Sequence, residues 1–334
     1  MIKQIIKIDS KSAKPKYRQI IESVNGAIAR GDVRKGEKMP SINQICNRCK
    51  VSRDTVMLAF NALKARGIII SQPGKGYYIT STEIYPEEKV FIMFDELNSF
   101  KEELYNSFIS TIKEKASVEI FFHNFNYKVF RNLILESIGY YTSYIVMPAT
   151  FNNTSGLLHK LPRGKVFIVD RLKPDLGDFP AVFQDFKQDV YDALNDGLSL
   201  IKKYRKLVFV DPGGKEPAER VKGFERFCRE NNYNFETVKN IDGARPGLYE
   251  AWFLISDRHL VQLLKITKEY KYKLGKKFGI VSFNDTILKQ MLAGGITTIS
   301  TDFTKMGVTL GNMLLYNRSD KVRNPSRLIV RKSL

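Results

Sequence analysis

The 334-residue chain has little of what catalysis, metal binding or secretion usually need. Its three cysteines, Cys46, Cys49 and Cys228, are an odd number. Cys46 and Cys49 read C-x-x-C, but the surrounding pattern is helical and no second pair or nearby histidine completes a zinc site. Cys46 falls on the apolar side with Ile42 and Ile45, which favours core packing over redox or metal chemistry. The three histidines, His123, His159 and His259, stand in unrelated contexts. No H-E-x-x-H, no G-x-S-x-G elbow and no early G-x-G-x-x-G occurs, and the setting of a Schiff-base lysine is missing. GARPG (243–247) and LAGGI (292–296) read as loops rather than cofactor cradles. An enzyme is therefore not expected, nor a cofactor or a resident metal. No run approaches the roughly 18 apolar residues of a membrane span, and MIKQIIKIDSKS lacks the apolar core and cleavage site of a signal peptide. A cytoplasmic, membrane-free protein is expected.

Acidic residues are also few: 35 Asp and Glu stand against 54 Lys and Arg, a formal charge of +19. The excess is uneven. Residues 1–80 hold 16 basic against 5 acidic side chains, net +11, and the remaining 254 hold 38 against 30, net +8. A polyanion-binding head on a milder body fits that distribution better than a uniformly basic protein.

Within the head, Pro15 reads as a helix start, and Ile20, Ile21, Val24, Ala27 and Ile28 recur at helical spacing until Gly31. Ser41 with Gln44 makes a capping box for a second short helix. Val51 bridges a tight turn, and Ser52 caps a third helix, with Thr55 a poorer reciprocal partner than Glu. Val56, Ala59, Phe60 and Leu63 line the inner face of that helix, leaving Arg53, Asp54, Met57 and Asn61 on or near its outside. Ser52, Arg53 and Thr55 supply the hydroxyls, backbone N–H groups and guanidinium that phosphates and base edges require. Asp54 suits either a cytosine amino group or a hold on Arg53, or is simply a solvated helix start. Strands 68–71 and 77–80 bracket QPGKG, a hairpin tip that presents Lys75. The spacing of a nucleotide phosphate loop is absent there.

This run resembles the winged helix-turn-helix domain of the GntR family of bacterial transcription regulators. The resemblance lies in PKYRQI, G-x-x-x-G-E-K-M-P-S, V-S-R-D-T-V, L-K-A-R-G-I-I and G-K-G-Y, over about residues 12–80. It implies contact with double-stranded operator DNA through Lys16, Ser41, Asn43, Ser52, Arg53, Asp54, Thr55, Lys75 and Gly76. Arg53 matches the family arginine that opens the recognition helix, and Gly76 the wing glycine near the minor groove. The family commonly has a guanine-reading arginine two residues after the Pro-Ser serine; here Asn43 stands there, which leaves that contact and the operator preference open.

Residues 81–89, STEIYPEEK, read as a linker. Beyond them strand signals at 90–95, 118–125, 143–149, 165–170, 206–212 and 276–285 alternate with helical stretches, which predicts an α/β body of parallel sheets covered on both faces. Asp95, Asp170, Asp211 and Asn284 end strands, where doubly wound sheets border their ligand crevice, although each also suits a turn. The body, about 89–332, resembles the effector domain of the LacI/GalR family, a fold shared with periplasmic sugar-binding proteins. The matching segments are DPGGKEPAERVKGFERFCRENN (211–232) and GIVSFNDTILKQMLAGGITTISTDFTKMG (279–307). That resemblance implies a two-subdomain parallel α/β fold and carries two sugar-binding positions onto Arg220 and Asn284. Asn284 departs from the family acid, and Asp285 beside it is the alternative. Asp95 and Asn98 open onto the same expected cleft, with Phe94, Phe100, Phe183 or Trp252 as candidate stacking faces or core.

Together these imply a homodimeric, ligand-responsive transcription regulator whose effector is a small molecule, a sugar or sugar derivative, with repression the commoner mode in such families. The domains expected are 1–80, a linker at 81–89, and 90–334. A body that only dimerises, and an enzyme fused to a DNA-binding head, are the competing readings.

Overall fold

The computed structural model describes residues 5–10, 12, 14–82 and 88–334. The head packs three helices, α1 (Lys16–Ala29), α2 (Ile42–Cys49) and α3 (Arg53–Ala65), against a hairpin of β1 (Ile69–Gln72) and β2 (Gly76–Ile79). Pro15 sits one residue before α1, at its cap, and the helix ends ahead of Gly31, whose φ is +72°. Ile20, Val24, Ala27, Val56, Ala59, Phe60 and Leu63 are all fully buried, so helical periodicity found the core of this module. Phe60 meets the edge of Tyr77 at 4.8 Å between centroids, which ties the hairpin to α3. Cys46 and Cys49 pack, half-buried, against the same core.

The linker expected at 81–89 lies mostly outside the described residues, and the strand after it begins at Glu88. The body then runs β3 (Glu88–Phe94), α4 (Ser99–Ile112), β4 (Ala116–Phe122), α5 (Tyr127–Ser137), β5 (Ser143–Val146), α6 (Ser155–Leu158), β6 (Val166–Asp170) and β7 (Ala181–Phe183). It continues with α7 (Phe186–Asp196), α8 (Leu198–Ile201), β8 (Lys206–Val210), α9 (Glu219–Glu230), β9 (Asn234–Val238), β10 (Glu250–Leu254), α10 (Asp257–Glu269), β11 (Phe278–Phe283), α11 (Ile287–Met291) and β12 (Thr297–Thr301). Last come α12 (Phe303–Leu315), β13 (Lys321–Arg323) and β14 (Ser326–Ile329).

Two six-stranded sheets result, ordered β13-β7-β6-β5-β3-β4 and β14-β12-β11-β10-β8-β9. All their pairings are parallel except β12 with β14. In each sheet the chain starts one strand from the edge and reverses direction between β3 and β5, or between β8 and β10, the switch points where α/β sheets open a crevice. Helix α12 packs on α4 in the first lobe, and α7 on α9 in the second. The chain therefore crosses between lobes three times, at 183–186, 301–303 and 323–326. Asn324, which is fully buried, stitches the crossings: its N–H donates to Phe183 O at 2.7 Å and its amide to Asp302 O at 2.9 Å, while Asp302 N–H donates to Pro325 O at 3.1 Å. Strands proved shorter at their carboxyl ends than the apolar runs suggested: β5 stops at Val146 and β8 at Val210, because the residues beyond them turn into loops at the cleft.

Candidate nucleic-acid interface and ligand cleft

In the head the exposed turn is built by capping. Ser41 Oγ accepts from Gln44 N–H at 3.2 Å and Gln44 Oε1 accepts from Ser41 N–H at 2.8 Å, the reciprocal pair the sequence indicated. Lys50, at φ +48°, reverses the chain, and Ser52 Oγ then accepts from Thr55 N–H at 3.2 Å. Thr55 completes no reciprocal backbone bond; its hydroxyl instead meets that of Ser52 at 2.8 Å. Arg53, Asp54, Asn43 and Ser41 are exposed together on the starts of α2 and α3. Arg53 Nη1 donates to Asn43 Oδ1 at 3.2 Å. The hold on Arg53 thus comes from Asn43; no ion pair with Asp54 occurs among the described residues. Lys16 opens α1 and is exposed.

The hairpin tip is a four-residue turn closed by Lys75 N–H to Gln72 O at 3.0 Å. Pro73 leads it and Gly74 takes φ +71°, the arrangement of a type II turn. Gly76 follows at φ +106°, so a side chain there would be strained. Lys75 is exposed at the tip.

In the body the strand ends converge on the interlobe cleft, and Arg220 lies at its centre. It is the second residue of α9, 7% exposed, with Nη1 on Glu216 Oε2 at 2.8 Å. Its guanidinium lies 5.1 Å from the Phe186 ring and 5.2 Å from the Phe283 ring, a cation held between two aromatic faces. Asn284, at φ +58°, lines the same space with Gln184, Asp189, Thr301 and Ser326. Gln184 bridges the lobes, donating to Asp170 Oδ1 at 2.5 Å and accepting from the Thr301 hydroxyl. The cavity that remains is about 10 Å³, room for about one water. A larger cavity, about 960 Å³ and bordered by Tyr17, Leu58, Tyr141 and Arg163, shares no residue with it.

The other expected cleft residues are committed elsewhere. Asp285 turns away from the cleft into a two-bonded pair with Arg331, both contacts 2.7 Å. Burial alone would raise its carboxyl, but the Arg331 bonds and charge hold it below the usual range. Asn98 caps α4, accepting from Lys101 N–H at 3.1 Å. Asp95 is buried against Lys101 Nζ at 3.3 Å. Burial would favour the neutral amine, yet the charges of Asp170 and Asp95 hold the Lys101 ammonium above its ordinary value. Asp211 accepts from Gly213 N–H and is a turn residue. Among the candidate stacking faces, Phe94 is core, Phe100 stacks on Phe303 at 5.3 Å, Trp252 bonds Glu250 at 2.8 Å, and Phe183 packs at the edge of a core cluster.

Sequence reasoning missed Phe186 and Phe283, and two of the ion pairs that join the lobes. Arg171 Nη2 meets both oxygens of Glu219 at 2.8 Å, and Lys215 Nζ meets Glu96 at 2.6 Å. Phe283 immediately precedes Asn284, but β11 is buried on both faces, so alternation carried no sign of which face it would take.

Residues 16–79 match the model for bacterial regulatory proteins of the gntR family, and residues 201–334 that for a periplasmic binding protein-like domain. The mannosyl-D-glycerate transport/metabolism system repressor MngR of Escherichia coli (strain K12) is 33% identical over 107 residues, 32% of this chain and 42% of that protein. The HTH-type transcriptional repressor YtrA of Bacillus subtilis (strain 168) is 29% identical over 100 residues, 30% of this chain and 73% of that protein. The match thus spans less than half the length of the first relative. A LacI family transcriptional regulator from Silicibacter pomeroyi superposes with a TM-score of 0.61 at 18% identity, covering 74% of this chain and 98% of that one, a likeness of fold. Among the described residues no helix is long and apolar enough to cross a membrane. The chain combines a gntR-family winged helix-turn-helix head with a periplasmic-binding-protein-like body.

Proposed function

We propose that this protein is a cytoplasmic, ligand-responsive transcription regulator, a repressor in its commoner mode, in which a small-molecule effector acts on the cleft of residues 90–334 and the head of residues 1–80 binds operator DNA. In a homodimer two heads would read a pseudo-palindromic site in successive major grooves. Ser52, Arg53 and Thr55 at the start of α3, with Asn43 and Ser41 beside them, would face base edges and phosphate. Lys75 and Gly76 on the wing would approach the neighbouring backbone, and Lys16 a flanking phosphate.

The observation that carries the effector half is Arg220. It is a buried guanidinium at the meeting of two lobes joined by three short, mutually hydrogen-bonded crossings. Such a joint allows the lobes to part and close about a ligand and to change head spacing. A carbohydrate effector is the reading that the body's fold and the mannosyl-D-glycerate repressor's name favour. Asn284 and Gln184 would supply donors and acceptors to sugar hydroxyls once the Arg220–Glu216 pair opens.

A second reading has one observation in its favour. The cleft is filled by Phe186, Phe283 and Arg220 and keeps only about 10 Å³, which suits a body that dimerises without a ligand. Calorimetric titration with a panel of monosaccharides and their phosphates separates the two. Binding heat with one compound, lost in Arg220→Ala while DNA affinity is kept, supports the effector reading. No heat with any compound, together with unchanged dimerisation in Arg220→Ala, leaves the dimer-only body.

For the head, the test is a mobility-shift titration on a duplex selected from random sequence. Arg53→Ala is expected to weaken binding by about tenfold or more, and Lys75→Ala to weaken it on all sequences and lower the salt slope by about one. Unchanged affinity in both variants would rule out this interface.

A further inference from the structure

We propose that Asn43 is a positioning residue for Arg53, and that the two act as one reader of a guanine at a single position of each half-site. The inference rests on the reading of the head as a DNA-binding module and goes beyond it by assigning the base and the division of labour. Three observations bear on it. Asn43 is the second residue of α2 and Arg53 the first of α3, so the reversal at Lys50 brings two helix starts onto one exposed surface. Asn43 Oδ1 accepts from Arg53 Nη1 at 3.2 Å. Asp54, the neighbour whose charge would more strongly attract Arg53, makes no ion pair with it among the described residues.

The chemistry follows from the fork of the guanidinium. It has five N–H groups, and a guanine O6/N7 edge needs two of them, parallel and in one plane. A bond from Nη1 to Asn43 leaves the Nε–Nη2 edge for that purpose and fixes the plane in which it lies. A long, exposed arginine otherwise spreads over many rotamers, and holding it before contact removes an ordering cost from binding. The same bond uses one of the two lone pairs of the oxygen that Asn43 would present to an adenine amino group and ties its orientation to Arg53, so Asn43 does not read adenine independently of Arg53. An arginine at position 43 would offer no acceptor and would repel Arg53. This chain therefore combines the two positions into one contact.

The test is selection of bound duplexes from a random library, followed by competition with single-base variants, for the 334-residue chain and four substitutions. The expected result is a guanine that wild type prefers by about 5- to 150-fold over other bases, the range of one bidentate contact. Arg53→Ala abolishes that preference. Asn43→Leu, which removes the acceptor at similar size, lowers it by about fivefold or more at the same position. Asn43→Asp, which keeps an acceptor, retains the preference while weakening affinity on all sequences. Asn43→Arg moves or broadens the preference at that position. Circular dichroism of these exposed-site variants checks folding independently. If Asn43→Leu keeps the wild-type preference at the position that Arg53→Ala relaxes, the coupling is wrong, although the head still binds DNA. If wild type enriches no sequence at all, the DNA reading itself fails and the inference with it.

Discussion

Lys289 is 2% exposed, a location few lysines occupy. Its ammonium donates to Phe283 O at 2.6 Å and Asn284 O at 2.9 Å, and pairs with Asp257 at 2.8 Å. It thereby fixes the strand end that presents Asn284 to the cleft. Nothing in its sequence neighbourhood distinguishes it from the exposed lysines, because its burial comes from α10 and the β11 end meeting over it. Lys289→Met leaves two carbonyls without their donor and is expected to lower unfolding free energy by about 2–4 kcal/mol in a denaturant melt. Retained wild-type stability would show that the ammonium is not needed there. Asp285 teaches the same lesson in reverse. Its place after a strand made it a ligand candidate, but Arg331, 46 residues away in sequence, claims both its oxygens.

Elements were legible to the degree that one face of each was buried. Helix α3 is amphipathic, so Val56, Ala59, Phe60 and Leu63 marked its core side in advance. Strands β5, β6, β8 and β11 are buried on both faces, and their apolar runs told where they were but not where they stopped. Helix packing was less accessible still. A Cβ on Gly307 of α12 would lie 2.2 Å from Leu104 O and 2.0 Å from Ser107 Oγ of α4, so the backbone of α12 lies directly against the backbone and the Ser107 side chain of α4. Gly307→Ala is expected to force them apart and lower the melting midpoint, at a cost of about 1–3 kcal/mol. A thermal melt identical to wild type would mean the contact yields freely.

At the scale of the whole molecule, Asp189 on α7 links the cleft to the third crossing. It is buried, and its Oδ1 accepts from Arg323 Nη2 at 2.7 Å and Nε at 3.1 Å. Burial pushes its carboxyl up to about 6 from 3.8, against the bonds and charge of Arg323. The folded state therefore binds this proton more tightly than the unfolded chain does. The stabilising contribution is complete below the unfolded value and is lost as pH rises through about 6. The stability of wild type relative to Asp189→Asn is expected to fall by roughly 2–3 kcal/mol between pH 4 and 7, read from paired denaturant melts. A difference independent of pH would place the Asp189 titration outside that window. The interlobe pairs Arg171–Glu219 and Lys215–Glu96 are partly exposed and contribute little each. Each ties a residue of the first lobe to one of the second.

The sequence by itself determined the class of each part. Capping residues, glycine turns and helical periodicity are local, and they specified the head almost to the residue. The alternation of apolar runs with helical stretches likewise specified an α/β body. Tertiary structure alone decided which polar side chains face the cleft. Whether Asp285 meets a ligand or Arg331, or Arg220 an open space or two phenylalanine rings, depends on segments far apart in the chain. No local pattern encodes those partners.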